Sequence, residues 1–307
     1  DIEDVFDQIT TEGQRERFFR DLELDFVHSV PGLARFRVNV MLQRGTMSIA
    51  FRRVPFDIPT IEELGLPQIC KSLVLQPRGL ILVTGPTGSG KSTTLAAMID
   101  YLNENQRRNV ITIEDPIEYL YKNKKCILAQ RDLGEDTQSF ASALIHALRH
   151  DPDVILVGEM RDLETIGTAI TAAETGHLVL GTLHTVDAVQ TVDRIIDAFP
   201  PEHQRQIRLQ VAQVLLAVLS QTLLPRSSGK GRIAAFEILV ANPAVRNLIR
   251  LSKTHELPSA IQLGANEGMQ SLNQTLARLV KSNTVTEEVA VEKSSEPNQL
   301  EKLIRGY

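Results

Sequence analysis

The sequence predicts an α/β fold that contains a doubly wound, parallel-rich sheet. Short apolar runs of strand length alternate with helical stretches, a pattern typical of strands covered by helices on both faces. These runs are Gly79 to Thr84, Asn109 to Ile113, Val154 to Val157 and Leu178 to Leu183. Polar motifs follow the runs, and in such sheets ligand-binding groups gather at the carboxyl ends of the strands. The sequence therefore predicts a functional site at one edge of the sheet.

Helical patterns fill the segments between and after these runs. The predicted helices span Lys91 to Asn105, Ser139 to His150, Leu163 to Thr175, Ala188 to Phe199 and Pro201 to Thr222, and Pro225 is expected to end the last one. Arg232 to Val240 predicts one more strand. Four later helices are predicted over Pro243 to Leu251, Glu256 to Leu263, Ser271 to Lys281 and Glu287 to Glu292. We therefore expect a core over residues 68–240 and a helical region over residues 241–307.

The first 57 residues predict a separate, small α+β domain. A helical stretch from Thr11 to Leu22 precedes three β-rich stretches, with turns expected at Pro31-Gly32 and Arg44-Gly45. The predicted antiparallel strands are Leu24 to Val30, Ala34 to Leu42 and Met47 to Val54. The segment Pro55 to Pro67 predicts a connection, with residues 58–67 as the linker. Because the chain opens with Asp1 rather than Met, we expect an N-terminal piece to be missing.

Composition disfavours several classes of protein. The chain has 307 residues and a formal net charge of −5, so its overall charge does not favour nucleic acid or an anionic membrane as a partner. Its cysteines, Cys70 and Cys126, are too few for a disulfide framework or a four-cysteine zinc site within one chain. The apolar runs are much shorter than the about 20 residues that a membrane-spanning helix needs. We expect a protein of a reducing compartment that does not insert into a membrane.

The strongest motif is a phosphate-binding loop of the form G-x-x-x-x-G-K-S between an apolar run and a helical stretch. Backbone N–H groups of such a loop and of the helix N-terminus can surround phosphates. Lys91 can reach the β- and γ-phosphates, and the Ser92 hydroxyl can bind Mg²⁺. The predicted nucleotide-binding residues are Gly85, Thr87, Gly88, Ser89, Gly90, Lys91, Ser92 and Thr93. The alternative is a glycine-rich turn that matches the motif by chance. The apolar run before the loop and the helical stretch after it argue against this alternative.

Acidic residues follow two further runs. Glu114-Asp115-Pro116-Ile117-Glu118 comes after one run, and Glu159 follows another within the stretch DPDVILVGEMRD. Carboxylates at one edge repel each other, so a divalent cation would stabilise them. Phosphoryl transfer also needs a group that orients or deprotonates water. Taken alone, either acidic group can instead cap the next helix, but together, beside a phosphate-binding loop, they favour catalysis.

Two histidines flank the run Leu178 to Leu183. His177 precedes this run and His184 follows it, so we expect His184 on the same edge as Lys91 and Glu159. A neutral imidazole at this edge can donate a hydrogen bond to a phosphate. A histidine considered alone is more often structural, and it is the neighbouring motifs that favour a functional interpretation.

Together, these motifs resemble those of secretion and pilus motor ATPases. The loop around Lys91, IEDPIEY, DPDVILVGEMRD and TGHLVLGTLHT occur in the order and spacing of the Walker A motif, Asp box, Walker B motif and His box of that family, and the tail segment PAVRNLIR is similar too. The resemblance is greatest to type IV pilus retraction ATPases of the PilT type and covers essentially the whole chain. It implies a PAS-like N-terminal domain, here incomplete at its start, a RecA-like P-loop ATPase core and a hexameric ring.

The resemblance also implies roles for single residues. Glu118, the last acid of the Asp box, would activate the attacking water. Glu159 would be the Walker B carboxylate close to the metal, so that the metal site consists of Ser92 and Glu159. His177 and His184 would link the nucleotide state to neighbouring segments, and both are catalytic candidates.

Arginines from the N-terminal side approach the γ-phosphate in these rings. Arg35, Arg37, Arg52 and Arg53 lie in the matching strands, and Arg37 and Arg52 are the candidate arginine fingers. For any single one of them, a solvated arginine on a strand is the alternative.

The resemblance predicts an ATP-hydrolysing, Mg²⁺-dependent homohexamer that powers type IV pilus retraction and twitching motility. It implies a cytoplasmic location peripheral to the inner membrane, with a pilus platform protein of that membrane as partner and no nucleic acid. The lack of a four-cysteine zinc module favours retraction over pilus assembly or type II secretion, which stay open as alternatives. A nucleic-acid motor is disfavoured by the acidic balance and an aromatic content of 5% without Trp. A nucleotide-binding regulator without turnover is the third alternative.

Overall fold

Two helices and a three-stranded antiparallel sheet form the first of two units in the computed structural model, which describes residues 1–30, 33–54 and 57–306. The elements are α1 (Ile2–Ile9), α2 (Glu12–Asp21), β1 (Glu23–Val30), β2 (Ala34–Gln43) and β3 (Thr46–Val54). Phe6 and Phe18 of the helices pack with Val38 and Val40 of the central strand, and all four are buried. This unit comprises Asp1–Ile58 together with Glu118–Leu120.

The α+β organisation predicted for this part of the chain is confirmed. Each strand begins and ends within one residue of its predicted bounds. The sequence pattern does not predict α1. Arg44 and Gly45 form the predicted turn, and both have positive φ, +52° and +79°, as the two-residue connection of a twisted hairpin requires. The predicted turn at Pro31-Gly32 lies outside the described residues.

A seven-stranded sheet organises the described part of the second unit, which comprises Pro59–Ile117 and the chain from Tyr121 onward. Its strands are β4 (Gly79–Thr84), β5 (Asn109–Glu114), β6 (Ile127–Asp132), β7 (Val154–Val157), β8 (Leu178–Leu183), β9 (Leu215–Pro225) and β10 (Arg232–Val240). The order is β10-β9-β4-β8-β7-β5-β6, and neighbouring strands are parallel except for β9 and β10. The predicted parallel-rich α/β fold is confirmed.

The predicted helix from Pro201 to Thr222 is wrong beyond residue 214. The structure has α8 (Pro201–Val214) followed by β9, and Pro225 ends this strand rather than a helix. The segment 215–224 has the sequence LLAVLSQTLL, and periodicity alone cannot assign such an apolar run to a helix or to a buried strand. Pairing with β4 and β10 decides the outcome. The sequence pattern also does not predict β6.

Helices cover both faces of this sheet. α3 (Ile69–Val74) and α4 (Lys91–Asn105) contribute to the core on one face, and α5 (Phe140–Ala147), α6 (Leu163–Glu174), α7 (Ala188–Asp197) and α8 contribute to the core on the other. Alternate residues of β4 serve the two cores, since Ile81 and Val83 belong to the first and Leu80 and Leu82 to the second. Strands buried on both faces are what the apolar runs predict.

The helical region after β10 contains α9 (Pro243–Arg250), α10 (Leu257–Leu263), α11 (Leu272–Lys281), α12 (Glu287–Lys293) and α13 (Pro297–Arg305). The first four helices are predicted by the sequence, and α13 is not. The last three share a small core with Leu224 of β9 and Ala235 of β10. Within the described ranges, no helix has both the length and the apolar character needed to cross a bilayer.

Part of the predicted linker belongs to the core of the second unit. Ile61 and Leu66 are 1% and 4% exposed and pack in the core on the α4 side of the sheet. The chain therefore joins the second unit from Pro59 onward. The expected domain boundaries at residues 57, 67 and 240 remain predictions.

Candidate nucleotide-binding site

The phosphate-binding loop joins β4 to α4 at the carboxyl edge of the sheet. Its glycines have backbone conformations that other residues rarely adopt, with φ of +141° at Gly85, +78° at Gly88 and +90° at Gly90. A Cβ at Gly85 would lie 2.2 Å from the carbonyl oxygen of Gln221, and a Cβ at Gly90 would lie 2.9 Å from the Gln221 Nε2. The first and last glycines of the motif are therefore required by close packing as well as by backbone conformation.

Three features of the loop fit a bound phosphate. The N-cap of α4 is Gly90, so the helix begins without a capping side chain, as at many anion-binding helix starts. The Lys91 Nζ donates to the carbonyl oxygens of Gly85 and Pro86, at 2.7 and 3.1 Å, which keeps the ammonium on the loop. The Ser89 hydroxyl is buried and has no hydrogen-bond partner among the described residues. An ammonium, an uncapped helix start and a spare hydroxyl in one loop are suited to a polyphosphate.

The remaining predicted loop residues take the positions that the motif requires. Thr87 and Gly88 are exposed at the tip of the loop, and Ser92 and Thr93 are half-buried in the first turn of α4. Ser92 directly follows the lysine, where a P-loop serine can contribute its hydroxyl to a Mg²⁺ ion.

Glu159 lies at the same edge, just beyond β7. Its Oε1 accepts hydrogen bonds from the Arg161 Nε and, at 2.9 Å, from the His184 Nε2, which must carry the proton. Partial burial raises the pKa of the Glu159 carboxyl, but Arg161 and His184 more than offset this effect and hold the pKa below its usual range. Glu159 is therefore anionic at neutral pH, as a residue close to a metal ion must be.

Backbone contacts fix Glu159 between two strands. The Gly158 N–H donates to the Ile113 carbonyl oxygen at 2.7 Å, and the Thr182 hydroxyl donates to the Gly158 carbonyl oxygen at 2.5 Å. The Met160 N–H donates to the Thr182 carbonyl oxygen at 3.0 Å. These bonds connect β5, β7 and β8 at the point where each strand ends, so Glu159 has little freedom to move.

The two histidines of the predicted His box lie at opposite edges of the sheet. His184 contacts Glu159 at the carboxyl edge, as expected. His177 lies at the amino edge, where its backbone carbonyl accepts from the Gly79 N–H and its Nδ1 is 2.9 Å from the Ala172 carbonyl oxygen. The six residues of β8 lie between the two histidines, so their backbone positions are about 23 Å apart at about 3.3 Å per residue. The structure thus does not bring His177 to the edge that holds Lys91 and Glu159.

The acidic residues of the two motifs divide into different roles. Asp162 caps α6, because its carboxylate accepts from the Thr165 N–H and hydroxyl, each at 2.8 Å. The Glu114 carboxylate accepts from the Thr112 hydroxyl at 2.6 Å. Glu118 is exposed and belongs to the segment that clusters with the first unit. The capping alternative is therefore correct for Asp162 and not for Glu159.

The described residues contain no cluster of three or more His, Cys, Asp or Glu side chains that could hold a metal ion. In P-loop sites, Mg²⁺ is bound by one or two protein groups together with water and phosphate oxygens. Ser92 and Glu159 remain the predicted protein ligands.

The pairing register of β2 and β3 shows which of the candidate arginine fingers share a face of the first sheet. Arg37 of β2 lies directly opposite Arg52 of β3, so both side chains are on the same face of that sheet. Arg35, two residues from Arg37, shares this face, whereas Arg53 lies opposite Phe36 on the other face. The structure therefore groups Arg35, Arg37 and Arg52, and separates Arg53 from them.

The sequence motifs do not reveal two residues that contact the site. Arg161 lies in the stretch DPDVILVGEMRD, two residues after Glu159, and forms an ion pair with it. On an extended segment, residues two apart share a face, and this spacing is the sequence signal for the pair. Gln221 lies against Gly85 and Gly90 of the loop, but it falls in the segment predicted as a helix. Only the assignment of 215–225 as a strand next to β4 would have revealed it.

Comparison with known proteins gives a consistent result. A model of the family described as "Type II/IV secretion system protein" matches residues 33–291. The chain is 52% identical to the type IV pilus retraction ATPase PilT of Pseudomonas aeruginosa over 94% of this chain and 84% of the relative. It is 50% identical to a twitching motility protein of Neisseria gonorrhoeae over 94% of this chain and 78% of the relative.

Similarity extends to three-dimensional structure. A crystal structure of the pilus retraction motor PilT with bound ADP matches this chain with a TM-score of 0.93 and 50% identity, covering 98% of this chain and 85% of that one. The solved structure shares the fold of this chain, and that protein was solved with ADP bound.

Proposed function

This chain belongs to the type II/IV secretion system protein family and is an ATPase, and we propose that it couples ATP hydrolysis to the retraction of a type IV pilus. The observation that carries this proposal is the arrangement at the carboxyl edge, where the loop around Lys91 and the Glu159–His184 pair follow strands of one parallel sheet. The chain is 52% identical to a type IV pilus retraction ATPase over 94% of its length. This similarity indicates a type IV pilus as the structure on which the motor acts.

Each group at this edge has a distinct task. Lys91 and the N–H groups of the loop would hold the β- and γ-phosphates, and Ser92 and Glu159 would hold the Mg²⁺ shell. When bound, Mg²⁺–ATP supplies the phosphoryl group and the cation that offsets its charge. Since Arg161 and His184 keep Glu159 ionised, the protein provides this carboxylate in its charged form before the nucleotide arrives. His184 is hydrogen-bonded to Glu159. It would therefore move when nucleotide binding changes the charge around this carboxylate.

Three further assignments concern Glu118, the pair Arg37 and Arg52, and His177. Glu118 would activate the attacking water, because it is the last acid of the Asp box. Arg37 and Arg52 would act as arginine fingers toward the nucleotide of a neighbouring subunit, and their common face on the first sheet supports treating them as a pair. His177, at the amino edge, would link β8 to α6 through Ala172 rather than touch the nucleotide.

Arginines that act in trans require a neighbouring subunit, and the resemblance to ring-forming motors gives the number of copies as six. We propose a homohexamer that works in the cytoplasm against a pilus platform protein of the inner membrane. The hinge between domains would lie in the segment Pro55 to Pro67, which contains the junction of the two units between Ile58 and Pro59. Pilus assembly or type II secretion is the second candidate, because the matching family model includes type II systems. The lack of a four-cysteine module argues for retraction.

The decisive biochemical test compares Glu118→Gln with Glu135→Gln, a variant of another exposed acid. We expect Glu118→Gln to lower phosphate release by about a hundredfold or more, since general-base groups contribute factors of this size, while ADP affinity stays unchanged. Glu135→Gln serves as the matched control and should retain turnover. Normal turnover in Glu118→Gln would remove Glu118 from this role.

A cellular test separates retraction from assembly. In a Pseudomonas aeruginosa strain that lacks its retraction motor, expression of this chain should reduce the number of surface pili and restore twitching. An assembly motor would leave the pili in place. Particle mass measured with and without ATP, beside hydrolysis, tests the ring, and a persistent monomer would contradict it.

A further inference from the structure

Gln221 is a buried side chain beside the start of the phosphate-binding loop. β9 runs parallel to β4, and the last pairing between them joins Ser220 to Thr84, so Gln221 is level with the residue at which the loop begins. Gln221 is 4% exposed. A buried amide must satisfy its donors and acceptors within the protein, so its partners show what it holds in place.

Both ends of the Gln221 amide are bonded to the nucleotide-binding segment. The Nε2 donates to the Ser89 carbonyl oxygen at 2.7 Å, and the Oε1 accepts from the Thr94 hydroxyl at 2.7 Å. Thr94 is 1% exposed in the first turns of α4. One side chain of β9 therefore fixes the end of the loop and the beginning of the helix relative to each other.

The bond to Ser89 also orients a phosphate-binding donor. The Ser89 carbonyl and the Gly90 N–H belong to one planar trans peptide unit, in which they point in opposite directions. By holding the carbonyl toward β9, Gln221 directs the Gly90 N–H away from β9. The close approach of Gln221 to Gly85 and Gly90 leaves the loop little space for another position. Donors that are fixed in advance bind a charge more strongly than donors that must first be ordered.

We propose that Gln221 is a positioning residue that sets the nucleotide affinity of the loop without touching the nucleotide. This inference rests on the proposed ATPase function and deepens it. Gln221 holds the loop in its phosphate-binding conformation, so its loss weakens the binding of ADP and ATP more than it slows the chemical step.

The test replaces the amide by an apolar group of similar length. Gln221→Met should weaken ADP binding, measured by isothermal titration, by about tenfold, as the loss of two buried hydrogen bonds implies. The KM for ATP should rise by a similar factor, and kcat should change by less than about threefold. Gln221→Glu should have a larger effect, because a carboxylate oxygen would then face the Ser89 carbonyl oxygen.

Ser220→Ala is the matched control. Ser220 is the preceding residue of the same strand, and its buried hydroxyl pairs with the Thr84 hydroxyl at 2.9 Å, outside the loop. This variant should lower Tm and leave the ADP affinity within about twofold. Equal losses of ADP affinity in Ser220→Ala and Gln221→Met would show a merely structural role and overturn the inference.

Substitution of the partner keeps the inference testable if Gln221→Met does not fold. Thr94→Val removes the donor to the Gln221 Oε1, and Thr94→Ser keeps it, so only the valine variant should weaken ADP binding. Unchanged ADP affinity in a folded Gln221→Met, or equal affinity in the two Thr94 variants, would refute the role of Gln221 while leaving the ATPase intact. Lack of ATP turnover in the parent chain would instead refute the proposed function.

Discussion

His184 and His177 stand at opposite ends of one strand, β8, and have different kinds of partner. At the carboxyl edge, His184 is hydrogen-bonded to the side chain of Glu159. At the amino edge, the His177 Nδ1 lies beside a backbone carbonyl of the preceding helix. The first imidazole thus influences a charged group beside the phosphate-binding loop, and the second joins one element of the fold to the next.

Two acids at the ends of β7 repeat this contrast. Asp153 precedes the strand, and its carboxylate accepts from the Asn109 N–H at 2.7 Å, next to the main-chain bond between the same two residues. Glu159 follows the strand, and Arg161 and His184 bind its carboxylate through their side chains. Polar groups at the amino edge complete the backbone hydrogen bonding of the sheet, whereas those at the carboxyl edge bond to each other through their side chains. Residue type alone therefore does not indicate function in this sheet. The edge at which a residue lies is what separates a structural acid from one in the candidate site.

The largest expected difference between the edges is in turnover when each acid is neutralised. Glu159→Gln removes the charge that we assign to the Mg²⁺ shell and should lower phosphate release by about a hundredfold. Asp153→Asn keeps an acceptor for the Asn109 N–H, so turnover should stay within about twofold. The comparison fails if the two variants lose turnover to the same extent.

A smaller difference is expected in the pH dependence of turnover. Burial raises the pKa of Glu159, and Arg161 and His184 lower it by more, so the carboxylate stays ionised as the pH falls until this lowered pKa is reached. His184→Ala removes one of the lowering groups, so the pKa of Glu159 should rise and activity should be lost at a higher pH than in the parent. Since an imidazole hydrogen bond to a carboxylate is lost, turnover at neutral pH should also fall by about tenfold.

His177→Ala is the control for that measurement. It removes a contact to Ala172 at the amino edge, so it should lower Tm while leaving the ADP affinity and the acid limb of the pH profile unchanged. A shift of the acid limb in His177→Ala would mean that the two edges are coupled more strongly than their partners indicate.

The sequence predicts the carboxyl edge well because its determinants are local. The loop Gly85 to Ser92 has a fixed spacing between an apolar run and a helix, and the parallel order of such runs places Lys91, Glu159 and His184 at one edge. The position of His177 follows from the same rule, because a residue before a parallel strand lies at the opposite edge. The sequence therefore already separates His177 from His184, although both belong to the His box that the resemblance implies.

The sequence does not predict features that depend on pairing between distant segments. β9 has an apolar pattern that suits a helix as well as a strand, and it becomes a strand because β4 and β10 lie on either side. The sequence pattern therefore does not reveal Gln221, although it lies against Gly85 and Gly90 of the loop. Likewise, Asp162 and Glu159 lie three residues apart in one motif, and only the hydrogen bonds of Asp162 to Thr165 show that it is a cap.

The smallest expected effect concerns how tightly the carboxyl edge is packed. A Cβ at Gly158 would lie 2.9 Å from the Ile113 carbonyl oxygen and 3.1 Å from the Glu114 Cα, and both are backbone atoms that cannot move aside easily. Gly158→Ala should therefore lower the free energy of unfolding by about 1–3 kcal/mol, and it should also disturb the adjacent Glu159.

Gly167, inside α6, supplies the contrast for this stability measurement, since a Cβ there would meet only the Phe199 ring at 3.5 Å, an ordinary contact. Gly167→Ala should raise the free energy of unfolding by up to about 1 kcal/mol, because alanine favours the helix. Urea denaturation of both variants gives the comparison. If Gly158→Ala is as stable as Gly167→Ala, the strands at the carboxyl edge have room to separate. Close packing between β5 and β7 would then not be what holds Glu159 beside His184.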